Sequence, residues 1–191
     1  DIAAGLISIK YGFRVVNFCP VSACATSSKA IIEAFNYIKW NKAAVIVSGG
    51  SEAAINESAI GGFSSARALS TLNDNPKIAS KPFDVNRDGF VMGEGAGALI
   101  LEEYEHAIKR GATIYAEIVG GGMAADAYHL TGTHPQGDGA VLGMQEALKE
   151  AAAKEYSANI ETSLFLEIQE NNNIGRGESV PYLRYGDSAE G

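Results

Sequence analysis

Positive charge, cysteine and long apolar runs are all scarce in this sequence of 191 residues. Lysine and arginine number 15 against 23 aspartates and glutamates, and the formal net charge of −8 argues against a nucleic-acid-binding surface. No apolar run approaches the roughly 20 residues that cross a bilayer, so we expect no membrane span. Two cysteines make no disulfide framework, and we therefore expect a reduced, cytoplasmic setting.

What is present suits a globular protein with a core. Apolar residues make up 46% of the chain and charged residues 20%, as in many α/β proteins. The chain starts at Asp1, without an initiator methionine or the pattern of a signal peptide, in a segment already spaced like a helix. We therefore expect an internal piece of a longer fold.

The stretch around Cys24 carries the strongest chemical signal. β-branched and aromatic residues over 13–18 predict a strand, and apolar residues at helical spacing predict a helix over about 26–40. Cys24 then lies in a strand-to-helix turn, where unpaired N–H groups and the helix macrodipole favour an anion. This predicts a nucleophilic thiol, with a buried structural cysteine as the alternative. Cys19, at the end of the strand, is expected to pack.

Strands and helices alternate through the rest of the chain. Strands are predicted over 43–50, 97–101 and 112–119, and helices over 102–110 and 139–154. The first strand–helix–strand run predicts a parallel, right-handed βαβ unit. Gly120 to Gly122 is expected to open a loop, and 164–168 could form another strand. The pattern indicates a layered α/β fold.

Neither a metal nor a nucleotide is favoured. The charged stretch over 82–97 lacks EF-hand spacing, and we expect its charges to be held by mutual hydrogen bonds while its apolar residues dock inward. Its glycines do not match GxGxxG. Asp126, His129 and His134 are too scattered to predict a zinc site.

Several motifs together resemble one family. VSACATSS, AVIVSGGSEAA, GGFSSARALSTLNDNP, KPFDVNRDGFVMGEGAGALILEEYEHAIKRGA and DAYHLT follow one another as in the β-ketoacyl-[acyl-carrier-protein] synthases, most of all synthase II of type II fatty acid synthesis. The resemblance covers residues 1–153, while 154–191 does not match. It implies a thiolase-like, layered α-β-α-β-α fold, incomplete because only the central part is present. It also implies decarboxylative condensation of an acyl-cysteine thioester with malonyl-ACP.

The resemblance also implies a set of site residues. Cys24 matches the nucleophile that accepts the acyl chain, and its backbone N–H matches one of two oxyanion donors. The family's residues that line the acyl pocket match Ala54, Ala59 and Phe63. The border of the phosphopantetheine channel matches Asp126 and Thr131, and a contact for the carrier's phosphate matches Arg67. The implied partner is acyl carrier protein, which brings the phosphopantetheine arm, so no separate cofactor is expected. A homodimer is also implied, paired through the strand before Cys24.

One departure from the family affects the expected activity. Condensation in the family uses two histidines, in motifs reading roughly NAHGT and GH, and this chain contains only His106, His129 and His134 outside such motifs. We therefore expect the chain to be inactive in condensation by itself. Two alternatives remain open: a non-catalytic dimerising or carrier-binding subunit of the same fold, and another thiolase-like acyltransferase that condenses coenzyme A esters.

Overall fold

The computed structural model describes residues 2–152 and two further short strands, 163–164 and 179–185. The helices are α1 (Ile2–Tyr11), α2 (Thr26–Lys39), α3 (Glu57–Ser65), α4 (Tyr104–Lys109) and α5 (Asp138–Ala152). The strands are β1 (Val45–Glu52), β2 (Gly95–Glu102), β3 (Ala116–Met123), β4 (Ser163–Leu164) and β5 (Ser179–Tyr185). Short 3₁₀ turns occupy Ala23–Ala25 and Pro76–Ile78.

The strands form two separate antiparallel sheets. β1 pairs with β2 over their full lengths, from Val45 opposite Glu102 to Glu52 opposite Gly95. The second sheet has the order β3-β5-β4. The prediction of a parallel βαβ unit is wrong, because residues 13–18 form no strand to pair with β1, which pairs antiparallel with β2 instead.

The predicted strand over 13–18 is also wrong. This segment follows an irregular path between α1 and the turn at Ala23, and none of the described strands lies beside it. A strand gains its stability from ladder hydrogen bonds and cross-strand contacts, so β-prone residues alone do not form one without a neighbour.

Glycines allow β3 and α5 to pack closely. A Cβ atom at Gly122 would collide with the Gly143 carbonyl oxygen, and one at Gly120 would collide with the Ala147 carbonyl oxygen. The predicted loop at Gly120 to Gly122 is therefore wrong, since these residues lie inside β3. The strand starts four residues later than the sequence pattern suggests.

The core centres on α2, whose predicted extent is confirmed. Ile31, Ala34 and Phe35 of this helix pack with Leu101 of β2. A second cluster joins Val119 of β3 to two residues of α5, Ala147 and Ala151. Because α2 contacts strands of both sheets, it holds a fixed position from which its N-terminus presents the preceding turn.

Two short strands, β4 and β5, lie in the C-terminal region. β5 runs antiparallel to β3, with Ala116 opposite Tyr185. Of the strand predicted over 164–168, residues 165–168 lie outside the described residues. The boundary at residue 153 stays a prediction. Among the helices described, none has the length and apolar character that crossing a membrane requires.

Candidate active site

Cys24 lies where the sequence predicts, in a tight turn directly before α2. It is the middle residue of the 3₁₀ turn Ala23–Ala25, and its side chain is half-buried. The residue before it, Ala23, has a φ of +48°, a left-handed conformation that alanine rarely adopts. The turn therefore bends sharply enough to direct the chain into the helix and to set Cys24 at the start of α2.

The side chain of Thr26 braces this turn. Its Oγ1 accepts a hydrogen bond from the Ser22 N–H at 2.9 Å and donates one to the Ala23 carbonyl at 2.7 Å. The Ala25 N–H also donates to the Ser22 carbonyl at 3.0 Å. Sequence reasoning missed Thr26, although a threonine at the start of a helix is a recognised signal for local side-chain hydrogen bonding.

Cys19 differs from Cys24 in its surroundings. It is exposed, so the expectation that it packs is wrong. That expectation depended on the predicted strand over 13–18, which does not form. Cys19 therefore remains an internal comparison for Cys24, with no helix directly behind it.

A surface cavity of about 810 Å³ brings together four of the predicted site residues. Ala59 and Phe63 come from α3, Arg67 follows that helix, and Thr131 comes from the loop after β3. Phe63 meets Phe90 edge-to-face, with ring centroids 5.0 Å apart. The cavity lining therefore combines apolar side chains with a basic and a hydroxyl side chain.

The charged stretch over 82–97, which runs into β2, also lines the cavity. Arg87, Asp88, Gly89 and Phe90 line it, and sequence reasoning did not assign them there. Gly89 permits a close approach, because a Cβ at this position would clash with the backbone at Leu69. The backbone pairing of Ser70 with Phe90 fixes this approach.

Hydrogen bonds hold the carboxylates of this stretch, but their donors are hydroxyl and backbone N–H groups, so the prediction that the charged side chains bond to one another is wrong. Asp88 accepts from the Ser70 hydroxyl at 2.7 Å and from the Thr71 N–H at 2.9 Å. These two donors hold the pKa of Asp88 below its ordinary value. The expectation that the apolar residues dock inward is confirmed for Phe90 and wrong for Phe83 and Val91, which are 75% and 44% exposed.

Three predicted residues do not line this cavity. Cys24 lies in its own turn, and Ala54 follows the end of β1, where its carbonyl accepts from the Asn56 N–H. Asp126 accepts from the backbone N–H groups of His134 and Gly139, each at 2.9 Å. The carboxylate thus caps α5, and its proposed place at the phosphopantetheine channel stays a prediction.

The three histidines occupy separate positions. His106 pairs with Glu102 at 2.5 Å on the surface. His129 Nδ1 accepts from the N–H groups of Thr131 and Gly132, which closes a turn beside the cavity. His134 packs edge-to-face on Tyr128. Within the part of the chain that the structure describes, no cluster of side chains could hold a metal ion.

Known proteins match this chain over most of its length. Residues 1–107 match the family described as beta-ketoacyl synthase, N-terminal domain. The 3-oxoacyl-[acyl-carrier-protein] synthase 2 of Synechocystis sp. is 51% identical over 154 residues, covering 81% of this chain and 37% of that protein. The mitochondrial 3-oxoacyl-[acyl-carrier-protein] synthase of Arabidopsis thaliana is 50% identical over 152 residues, covering 79% of this chain and 33% of that protein. The chain thus spans about a third of the length of these relatives.

Solved structures agree with the sequence relatives. A type II PKS acyl-carrier protein in complex with its ketosynthase bound to the hexaketide matches with a TM-score of 0.74 at 39% identity. The match covers 78% of this chain and 37% of that one. The expected thiolase-like fold, present in part, is therefore confirmed. The chain belongs to the β-ketoacyl synthase family.

Proposed function

We propose that this chain carries the nucleophile of a β-ketoacyl-[acyl-carrier-protein] synthase. The Cys24 thiolate attacks the carbonyl carbon of an acyl thioester, and the thiol of the carrier's phosphopantetheine arm leaves. The observation that carries the proposal is the position of Cys24 in the sharp turn Ala23–Ala25 at the start of α2. There the N–H groups at the start of the helix favour the thiolate, and by the family resemblance the Cys24 N–H would serve as one of the two oxyanion donors.

The cavity supports a role in substrate binding. Phe63 and Ala59 offer apolar surface for an acyl chain, and Arg67 and Thr131 offer a positive charge and a hydroxyl for the carrier arm. Ala54 and Asp126 belong to the same proposal through the family resemblance. The carrier's arm is the only prosthetic group that the proposal requires.

The partners and the compartment are part of the proposal. A solved neighbour described as a ketosynthase with its acyl-carrier protein supports acyl carrier protein as the partner. A homodimer and malonyl-ACP as the extender follow from the family. We favour fatty acid synthesis because the relatives near 50% identity are named 3-oxoacyl-ACP synthases. A cytoplasmic location stays a prediction, since one of those relatives is named mitochondrial.

Condensation requires chemical groups in addition to Cys24 and the cavity residues. The malonyl carboxylate must leave as CO₂, and the resulting enolate must attack the acyl carbonyl and release Cys24. Neutral imidazoles aimed at the extender's thioester would stabilise that enolate. His106 is paired on the surface and His129 is engaged by backbone N–H groups, so we assign neither to this step.

Acylation by a carrier tests the proposal. Incubation of the chain with acyl-ACP should add one acyl mass, and peptide mapping should locate it on Cys24. The Cys24→Ser variant should show no thioester, and the matched Cys19→Ser variant should behave like the unchanged chain. Labelling of Cys19, or none at all, would contradict the nucleophile assignment.

A second candidate is a non-catalytic, carrier-binding subunit of the same fold. The positions of the three histidines favour it, because none is arranged for condensation. Retained binding of acyl carrier protein without any thioester at Cys24 would support this candidate. Faster acylation from acyl-coenzyme A than from acyl-ACP would instead favour the coenzyme A branch of the fold.

A further inference from the structure

We propose that Thr26 is a positioning residue for Cys24, an inference that rests on the proposed role of Cys24 as the nucleophile. The turn bearing the thiol adopts a backbone conformation that its own residues do not favour. Ala23 has a φ of +48°, where the Cβ atom crowds the backbone. An interaction with another residue must therefore hold this turn in the conformation that alanine disfavours.

The Thr26 hydroxyl meets this requirement with two hydrogen bonds. It accepts from Ser22 N–H and donates to the Ala23 carbonyl, so it joins the residues on either side of the Ser22–Ala23 peptide to the first residue of α2. A hydroxyl can do both at once, because it offers one donor and two lone pairs. The pairing leaves Ala23 little freedom to relax to a negative φ.

The next residues tie the same end of α2 to the sheet. A Cβ at Gly50 of β1 would collide with the Ser27 side chain, so strand and helix touch there. Ser28 of α2 and Ser48 of β1 are both buried. Thr26 thus links the turn to a helix end that is itself fixed against β1, and the position of Cys24 follows from that of the helix.

Loss of the two Thr26 hydrogen bonds should change the reactivity of Cys24. Without the two bonds, Ala23 can return to a common backbone conformation, and the thiol moves away from the N–H groups at the start of α2. Thr26→Val removes both bonds with little change in size. Thr26→Ser keeps the hydroxyl and should keep the geometry.

Alkylation by iodoacetamide, mapped by peptide mass spectrometry, measures the effect. In the unchanged chain, Cys24 should react faster than Cys19 although it is less exposed. Thr26→Val should slow Cys24 by roughly fivefold or more, because the helix N-terminus no longer favours its thiolate, while Cys19 stays within about twofold. Thr26→Ser should stay near the unchanged rate, and so should the control Thr113→Val, which alters an exposed threonine elsewhere.

A second variant separates positioning from unfolding. Glycine adopts a positive φ without strain, so Ala23→Gly in the Thr26→Val background should restore most of the Cys24 rate. If Thr26→Val also loses helical circular dichroism, this double variant should recover both signals. Recovery of neither would contradict the proposal.

The outcomes also distinguish the two proposals. Equal rates at Cys24 and Cys19 in the unchanged chain would contradict the nucleophile assignment. A fast Cys24 that Thr26→Val leaves equally fast would contradict the positioning role alone.

Discussion

At the residue scale, the Asp126 carboxylate, which the family resemblance places at a substrate channel, is hydrogen-bonded to backbone N–H groups. Both carboxylate oxygens accept such groups. One of these groups belongs to Gly139, in the first turn of α5. The residue therefore caps a helix from a distance in sequence, and this contribution to stability does not depend on any substrate.

Replacement of Asp126 should destabilise the fold. Asp126→Ala removes the acceptor for two N–H groups, and the loss of a cap of this kind costs about 1–2 kcal/mol. Chemical denaturation of the variant measures the change in free energy of unfolding. The control is Asp74→Ala, in an exposed turn, which should have little effect. Equal stabilities for the two variants would argue against the capping role.

The sequence predicts those site residues whose position depends on neighbouring residues in the chain. The turn at Cys24 follows from the apolar spacing of α2, which is a property of neighbouring residues. Thr26 was missed because its importance depends on the φ of Ala23, which no sequence pattern reveals. The cavity wall from Arg87 to Phe90 was missed because loop residues reach it through backbone pairing with residues near Ser70.

At the scale of elements, the contact between β3 and α5 depends on glycine. A side chain at Gly122 would overlap the Gly143 carbonyl of α5, which is backbone and cannot swing away. We expect Gly122→Ala to destabilise the chain by about 1–3 kcal/mol, because overpacking pushes the helix off the sheet. Gly97→Ala in β2 is the matched control, since a Cβ there meets nothing within 4 Å. Unfolding curves should separate the two variants, and identical midpoints would contradict the close contact.

The junction of β2 and α4 predicts a dependence on pH. Glu102, the last residue of β2, accepts from Arg110 and pairs with His106. Arg110 first, and then His106, lower the pKa of Glu102 from 4.5 to about 2. A carboxylate with a lowered folded-state pKa stabilises the fold above its unfolded pKa, and this contribution is lost as the pH falls toward the folded value.

Thermal unfolding across pH tests the junction. Glu102→Gln should lower Tm at neutral pH, and the gap from the unchanged chain should narrow as the pH falls from about 4.5 to about 2. Glu146→Gln, which alters a looser surface pair with Lys149, is the control. A gap that stays constant through this range would argue against the ion pair.

Helices were predicted more reliably than strands, for a physical reason. α2 and α5 agree closely with the predicted ranges because helical hydrogen bonds and helical spacing are local. The strand over 13–18 failed because its stability depends on a partner that the described residues do not supply. The glycines of β3 were predicted to open a loop, but they are needed for close packing against the backbone of α5. That helix lies twenty or so residues further along the chain, so local sequence does not reveal the contact.

At the scale of the whole molecule, much apolar surface is exposed. No residue of α1 is buried, although most of the helix is apolar. In β2, Leu99 and Ile100 are 45% and 63% exposed. Exposed apolar patches larger than a few hundred Å² are rare in monomers and usually mark surfaces that associate.

The chain should therefore associate in solution. We expect size-exclusion chromatography to show species larger than a monomer, together with binding of a hydrophobic dye. Ile100→Lys should weaken both signals, while Lys109→Ala, on the surface of α4, should not. A monodisperse monomer with a sharp thermal transition would show that the exposed surface is covered.

This chain is expected to form an acyl-enzyme at Cys24 but not to carry out condensation. The direct test is to load the chain with acyl-ACP, add malonyl-ACP, and follow protein mass and β-ketoacyl product together. Groups that stabilise the enolate are each worth on the order of 10² to 10⁴ in rate, so their absence should leave no measurable product. Acylation at Cys24 that persists after malonyl-ACP is added agrees with this expectation. Release of a β-ketoacyl product by the chain alone would contradict it.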